Sequence, residues 1–564
     1  MSLEDVFYDS NMVALVMERG SVAESHLENN PYIQFKKELS SGYSIIYLKK
    51  NDVDRVITNI ANYTINLYPL VLGLLGASEL GAAGILQVQR QPFLDLLGSG
   101  VLLGFIDTGI DYTQSAFRYE DGSSKIVSIW DQTIRSGNTP AGYPYGTEYR
   151  ADKINLALKS PNPHEVVPHR DTVGHGTFLA SLAGSREPGE YIGAAPDAEI
   201  IAVKLKGARA FDRAYFLVPP DQENAFSSDD FMMGVQYIVD KATELRRPVA
   251  ICVSLGTNAG GHDGLLPLGG YMSRISSTIG VTVCAGAGNE GQAGHHTHGK
   301  LTKAGETQDI ELRVGDKLED IYLAIWNTAS DRISVSITSP TGEQVARMPA
   351  RSGSSYTNRL ILERATVTVE YFFPIERGAQ VTRILFLSAT PGVWTITVHA
   401  DVILEGTYHA WLPMTGFVDP ATVFLRPTPN YTIVTPANGT GLITCGAYNS
   451  LDNSFAAFSS QGPNRLSNIL PDLVAPGVDV GGIFPGGTGV MSGTSASAAI
   501  TTGACALMLQ WGIVEKNDVS MDSYRIRYNL IAGCERDPNI EYPNNQWGYG
   551  KLNLINTFRS LRPY

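Results

Sequence analysis

Gly100-Val-Leu-Leu-Gly-Phe-Ile-Asp107 is an almost unbroken apolar run that stops at an Asp-Thr-Gly turn. A strand buried on both faces reads this way, because helices cover each side of a parallel sheet and leave no polar face. The same texture returns at Ala198–Leu205, Val249–Leu255, Val281–Ala287 and Leu442–Ala447. Helical patterns separate several of these runs. Ser228 is placed to cap a helix in which Phe231, Met232, Val235, Ile238, Val239, Ala242 and Leu245 share one face, ending before Pro248. Ala496–Trp511 is apolar nearly all round, the mark of a buried helix. Strands alternating with helices predict an α/β fold built on a doubly wound parallel sheet.

Outward from this core the texture changes twice. Between residue 300 and about residue 430, the segments Asp309–Arg313, Ile321–Ile325, Ile333–Thr338, Thr366–Tyr371, Ile384–Leu387, Trp394–Ala400 and Gly406–Leu412 alternate and are divided by turn residues. That spacing predicts an inserted β-sandwich or jelly roll without helices. Upstream, residues 1–90 read as a small α/β unit with a strand at Ser44–Lys49 and a helix over Asp52–Tyr63. Further strands are expected at Leu67–Leu72 and Ile85–Val88, with a short helix around Ser78–Ala83 between them. The chain of 564 residues thus divides into 1–90, 91–299, 300–434 and 435–564, in line with about 150 residues per domain.

Composition narrows the function. The net charge of −13 and the lack of a Lys/Arg block argue against nucleic acid as a partner. The amino terminus, MSLEDVFYDSNMV, is acidic and no apolar segment follows it, so no signal peptide and cytoplasmic synthesis are expected. The apolar stretch Leu67–Leu75 is about half the ~20 residues of a spanning helix, so no membrane span is expected either. Five cysteines, odd in number and mostly in apolar surroundings, read as buried reduced thiols.

Three segments carry candidate chemistry. Asp107 ends a buried strand, His175 opens a small-residue helix in GHGTFLASLAG, and Ser495 lies in SGTSAS ahead of the buried helix. Acyl transfer by serine needs a base for the hydroxyl proton and a carboxylate to fix that base's tautomer. It also needs oxyanion donors, and Asn289 at the end of VTVCAGAGNEG and the Ser495 backbone N–H suit that task. Taken singly, each has an ordinary reading: a strand-end turn, a packing histidine, a helix cap, an Asn-Glu-Gly turn. Their joint occurrence, each at a strand end or helix start, favours the catalytic one.

FIDTGID, GHGTFLA, AGAGNEG and SGTSAS resemble the four signature blocks of the subtilisin-like serine peptidases. The order Asp, His, Ser along the chain also matches that family. The resemblance implies a triad of Asp107, His175 and Ser495, with Asn289 as oxyanion residue and Ser254, Leu255 and Gly256 as the edge strand that binds extended peptide. Phe458–Pro463, Leu473–Gly477 and Trp547–Gly550 match further family segments. The layout resembles more narrowly the Csp germination proteases of spore-forming clostridia and related gut bacteria. That likeness implies a protein substrate, a self-cleaved prodomain that stays bound, and a spore-associated role. The cut is then expected within Leu86–Gln91. Some members of that group have lost triad residues and act as silent sensors, and a silent scaffold held by its bound prodomain is the rival reading here.

Two departures stand out. The Met-Ala-Ser-Pro-His usual after the serine is replaced by Ala496-Ser-Ala-Ala-Ile500, and 68 positions separate Asp107 from His175, so a loop around Ser136–Pro168 is expected to rim the cleft. Gly294–Gly299 holds three histidines but reads as a solvated loop rather than a metal site, and no metal or cofactor is expected. Asp229 and Glu223 read as helix-start carboxylates. Trp326, Tyr371, Phe372, Trp394 and Trp411 read as core, with a sugar-binding face as the alternative.

Overall fold

The computed structural model describes residues 5–21, 24, 27, 30–57, 67–74, 82–91, 94–186, 192–375 and 378–561. Near the amino terminus, β1 (Met12–Glu18), β2 (Ile33–Glu38) and β3 (Tyr43–Lys49) form an antiparallel sheet with β3 in the middle. β1 and β3 each bury six consecutive residues, so both of their faces are covered. Only β3 was expected from sequence. β1 reads as a plain apolar run, and β2 alternates between half-buried and exposed on a charged edge. The helix expected over Asp52–Tyr63 begins as Val53–Ile57, and residues 58–66 lie outside the described residues.

The next strand, β4 (Val71–Leu74), leaves this unit and joins the core. The helix expected around Ser78–Ala83 falls mostly outside the described residues. Ile85–Val88, expected as a strand, belongs instead to helix α1 (Ile85–Gln89). Gly84 at φ 69° turns the chain there, and Ile85 and Val88, three apart, bury the same helical face. The same helix carries most of Leu86–Gln91.

The core sheet contains β5 (Leu102–Asp107), β6 (Ile126–Asp131), β7 (Thr147–Arg150), β8 (Glu199–Lys204), β10 (Val249–Val253), β12 (Val281–Gly286), β13 (Ile443–Tyr448) and β14 (Leu473–Pro476). Their order is β14-β13-β12-β10-β5-β8-β6-β7, and every pair is parallel except the edge hairpin β6–β7. Two very short strands, β9 (Phe226–Ser227) and β11 (Leu255–Gly256), lie outside this sheet. Alternate residues of β5 enter different cores. Leu102 and Ile106 pack with helix α3 (Ser228–Leu245), whereas Leu103 and Phe105 pack with α2 (His175–Gly184) and α4 (Thr494–Leu509). Burial on both faces is why this strand lacks a polar stripe.

Every residue of α4 is buried. With the turn that follows, it is long and apolar enough to cross a membrane, but 83% of that stretch is packed inside the molecule. It is a core helix. All five cysteines are buried and unpaired.

Residues 296–424 form two antiparallel sheets, of six and five strands, around a shared apolar core. All seven expected strands are there; Gln344–Met348, Ser355–Arg359, His296–Lys300 and the two-residue Val423–Phe424 are additional. The first two were hidden by their polar, partly exposed residues. Trp326, Tyr371, Trp394 and Trp411 are interior rings, which removes them from any sugar-facing surface. The loop expected at Ser136–Pro168 is instead β7 and two short helices, Ala151–Leu158 and Pro163–Val166, and β7 sits three strands from β5 at the sheet edge. The histidine segment is no solvated loop. His295 and His296 are buried, and His296 and His298 lie on strand His296–Lys300, which pairs with Thr407–Trp411.

Candidate active site

Asp107 is the last residue of β5, at the carboxyl end of the sheet, where parallel α/β folds place their sites. Its buried carboxylate accepts the Thr108 N–H at 2.7 Å and the Ser254 hydroxyl at 2.6 Å, and both oxygens contact His175 Nδ1, at 2.8 and 2.9 Å. Burial alone would raise its pKa. The His175 charge and hydrogen bond, aided by Ser254 and Thr108, outweigh burial and hold it below the usual carboxylate range. An ionised Asp107 favours the tautomer with hydrogen on Nδ1, which leaves Nε2 as the basic nitrogen.

The helix carrying His175 docks directly on the Asp-Thr-Gly turn. A Cβ on Gly176 would lie 2.2 Å from the Gly109 carbonyl oxygen, so only glycine permits this approach. Asp171, which sequence reading passed over, organises the junction. It accepts from Thr108 Oγ1 at 2.8 Å, the Gly174 N–H at 2.8 Å and Thr177 Oγ1 at 2.7 Å. Also unanticipated is a second buried pair, His169 Nδ1 to Asp131 Oδ2 at 2.6 Å, whose His169 Nε2 accepts the Ile110 N–H at 3.2 Å. Asp171 has near partners in Gly174 and Thr177 but joins them to distant Thr108, and the partners of His169 are all distant, so no local pattern marked either residue.

Ser495 is the second residue of α4, after Gly493 at φ 142°. Its hydroxyl donates to the Ser254 carbonyl at 3.3 Å. Ser254 therefore touches both ends of the constellation, its side chain on Asp107 and its backbone on Ser495. Ser497 anchors the first turn of α4 by donating to the Ala475 and Pro476 carbonyls at 3.0 and 3.1 Å. Asn289 Oδ1 accepts the Thr494 N–H at 3.0 Å and the Thr494 hydroxyl at 3.2 Å. An N–H can only donate, so this contact identifies the oxygen and makes the NH2 the remaining end of the amide. Thr494 is thus the unforeseen partner that orients Asn289 beside Ser495.

The edge strand is already paired. Leu255 lies opposite Leu74 and Gly256 opposite Gly73, antiparallel, while the other edge of β4 sets Val71 against Ser227 and Leu72 against Phe226. Leu70 donates its N–H to Ser228 Oγ at 2.8 Å and accepts the Ser228 N–H at 2.7 Å. The segment from Leu70 to Leu74 is held between two core strands, as a bound peptide is in strand addition. Charges lock the rest of the amino-terminal unit down. Asp229 accepts from Tyr47 and from Arg209, both at 2.8 Å, and Asp230 binds Lys206 and, at 2.8 Å, Tyr145, whose ring stacks 4.4 Å from Phe7. Asp229 lies in the first turn of α3, as expected, and its oxygens also hold this interface; Glu223 is exposed and lies ahead of the helix. Among the described residues no group of three or more His, Cys, Asp or Glu is arranged to hold a metal ion.

A family model described as the Subtilase family matches residues 98–309 and 425–550, which is more than half of the chain, and the break falls within the two-sheet unit and ends with it. The chain belongs to the subtilase family. In structure it is similar to the CspB protease of Clostridium perfringens, at 32% identity and a TM-score of 0.76 over 86% of this chain and 99% of that one. Curated relatives in Arabidopsis thaliana include the subtilisin-like proteases SBT3.10, 24% identical over 73% of this chain and 55% of its own length, and SBT3.5, 23% identical over 73% and 56%. The chain spans about half the length of these curated relatives.

Proposed function

We propose that this chain is a serine endopeptidase that works through an acyl-enzyme. Ser495 attacks the peptide carbonyl while His175 Nε2 takes its proton and later returns it to the leaving amine, and Asp107 orients and stabilises the imidazolium. The Asn289 NH2 and the Ser495 N–H receive the oxyanion. Ser254, Leu255 and Gly256 align the substrate as an added strand. The observation that carries this reading is that Ser254 joins the buried Asp107–His175 pair to Ser495, beside an edge strand already holding an extended segment. Labelling with a fluorophosphonate probe tests it: Ser495 is modified in the wild type and nothing is modified in Ser495→Ala.

In this reading residues 1–90 act as a prodomain that assists folding and fills the cleft, 91–299 and 435–564 form the catalytic domain, and 300–434 is an inserted jelly roll. The register of Leu74 and Gly73 on the edge strand supports a proposed site of self-cleavage. Gly73 faces Gly256 and Leu74 faces Leu255; because Ser254, whose carbonyl holds Ser495, directly precedes Leu255, the residue after Leu74 is taken as the one whose carbonyl is attacked. The proposed bond is Leu75–Gly76, within a stretch outside the described residues. It replaces Leu86–Gln91, which lies largely on α1 with Val88 buried. Intact mass decides: fragments 1–75 and 76–564 in the wild type, and one uncut chain in Ser495→Ala. Similarity to the CspB protease supports a Csp-like role, in which a protein zymogen is activated during germination. The second reading, a silent sensor, draws on the fact that Leu70–Leu74 already occupies the edge strands. A wild-type chain that resists the probe would favour it.

A further inference from the structure

Buried Val71 lines a small, mainly apolar cavity together with residues of the core and of the two-sheet unit. Phe216 belongs to the core; Tyr322, Trp411, Met414 and Phe417 belong to, or directly follow, the two-sheet unit between residues 296 and 424. Phe216 and Tyr322 meet across the seam at a ring-centroid distance of 5.4 Å. About 30 Å³ remains unfilled in this pocket. Leu70 faces a different pocket, shared with Val16 of β1 and Met232 of α3. Neighbouring side chains of the seated segment therefore enter separate compartments, and the one at position 71 is the one read by the two-sheet unit.

We infer that the two-sheet unit supplies a specificity subsite for an aliphatic side chain four residues ahead of the residue whose carbonyl is attacked. This rests on the peptidase reading above and on the register of Gly73 with Gly256. The insertion is then part of the substrate cleft, and the chain selects protein segments with Val, Ile or Leu at that position. The mainly apolar lining disfavours a charged side chain, since an ion there gives up its hydration and finds no opposite charge, only the neutral polar groups of Thr257 and Asn258. The free space beside Val71 leaves room for a longer aliphatic side chain, which favours isoleucine over valine.

The test follows self-processing of the full chain by intact mass. Val71→Asp is expected to slow the cut by about 100-fold or more and Val71→Ala by roughly 10-fold, whereas Val71→Ile holds or speeds it by about 3-fold. Met414→Ala with Phe417→Ala is expected to slow the cut by roughly 10-fold and to shrink the further effect of Val71→Ala, because the contacts removed are shared. A second readout works without catalysis. In the Ser495→Ala chain, hydrogen exchange at residues 70–74 should quicken with the Met414 and Phe417 substitutions and slow with Val71→Ile. Unchanged cutting and unchanged exchange in these variants, with Ser495 labelled by the probe, would overturn the subsite and leave the peptidase reading standing. A wild type that is neither labelled nor cut would overturn the peptidase reading, and exchange would still report whether the pocket grips position 71.

Discussion

Removing one hydroxyl, in Ser254→Ala, separates the two tasks of that residue. The backbone carbonyl that holds Ser495 and the neighbouring edge strand stay in place, while Asp107 Oδ2 loses its 2.6 Å partner. A hydrogen bond to a buried charge contributes about 1.5–3 kcal/mol. Asp107 keeps Thr108 and His175 but becomes a poorer stabiliser of the imidazolium that forms in the transition state. At 1.36 kcal/mol per decade, first-order self-processing should slow by about 10- to 100-fold, and fluorophosphonate labelling should slow in parallel. The β4 segment should stay seated, with unchanged hydrogen exchange at residues 70–74. Processing as fast as in the wild type, or slow processing caused only by a loosened β4, would refute the role given to Ser254.

Asn289→Ala should cost about 100- to 1,000-fold in processing rate with little change in melting temperature, because it removes an oxyanion donor that the ground state does not need; a small rate loss would argue against that role. Gly176→Ala places a methyl 2.2 Å from the Gly109 oxygen, so processing should collapse and stability should fall by several kcal/mol, read by denaturant unfolding. Acid should destabilise the fold through His262 and His409, whose burial lowers their pKa to about 4 and about 3. The unfolded chain takes up these protons first, so their contribution is complete above about pH 6.5 and is lost as the pH falls toward the folded values. It is on the order of 3 kcal/mol for His262 and about 5 kcal/mol for His409. Melting temperature measured from pH 7 to 4.5 should fall, and fall less in His409→Phe.

Much of the fold was legible because its signals are local. β5, β8, β10, β12 and β13 are each mainly apolar along their length since helices cover both faces, and the seven alternating segments show one dry face of a two-sheet core. The misreadings share a cause. Ile85–Val88 is mostly apolar in a way that suits strand or helix, and its packing site beside the helix Leu554–Ser560 decides for helix. The histidines near residue 296 look solvated until a strand more than 100 positions later pairs with theirs. Asp171, His169 and Thr494 are ordinary polar residues until their partners are known.

By itself the sequence determined the sheet, the helices that wind it and the four blocks bearing the candidate chemistry, because apolar periodicity and residue type are written within a few positions. Only the tertiary structure decided that Leu70–Leu74 lies between the edge strands, that Ser254 links Asp107 to Ser495, and that the inserted unit closes a pocket over Val71. Those facts depend on surfaces distant in the chain meeting in space, and no local pattern encodes which surface will meet which.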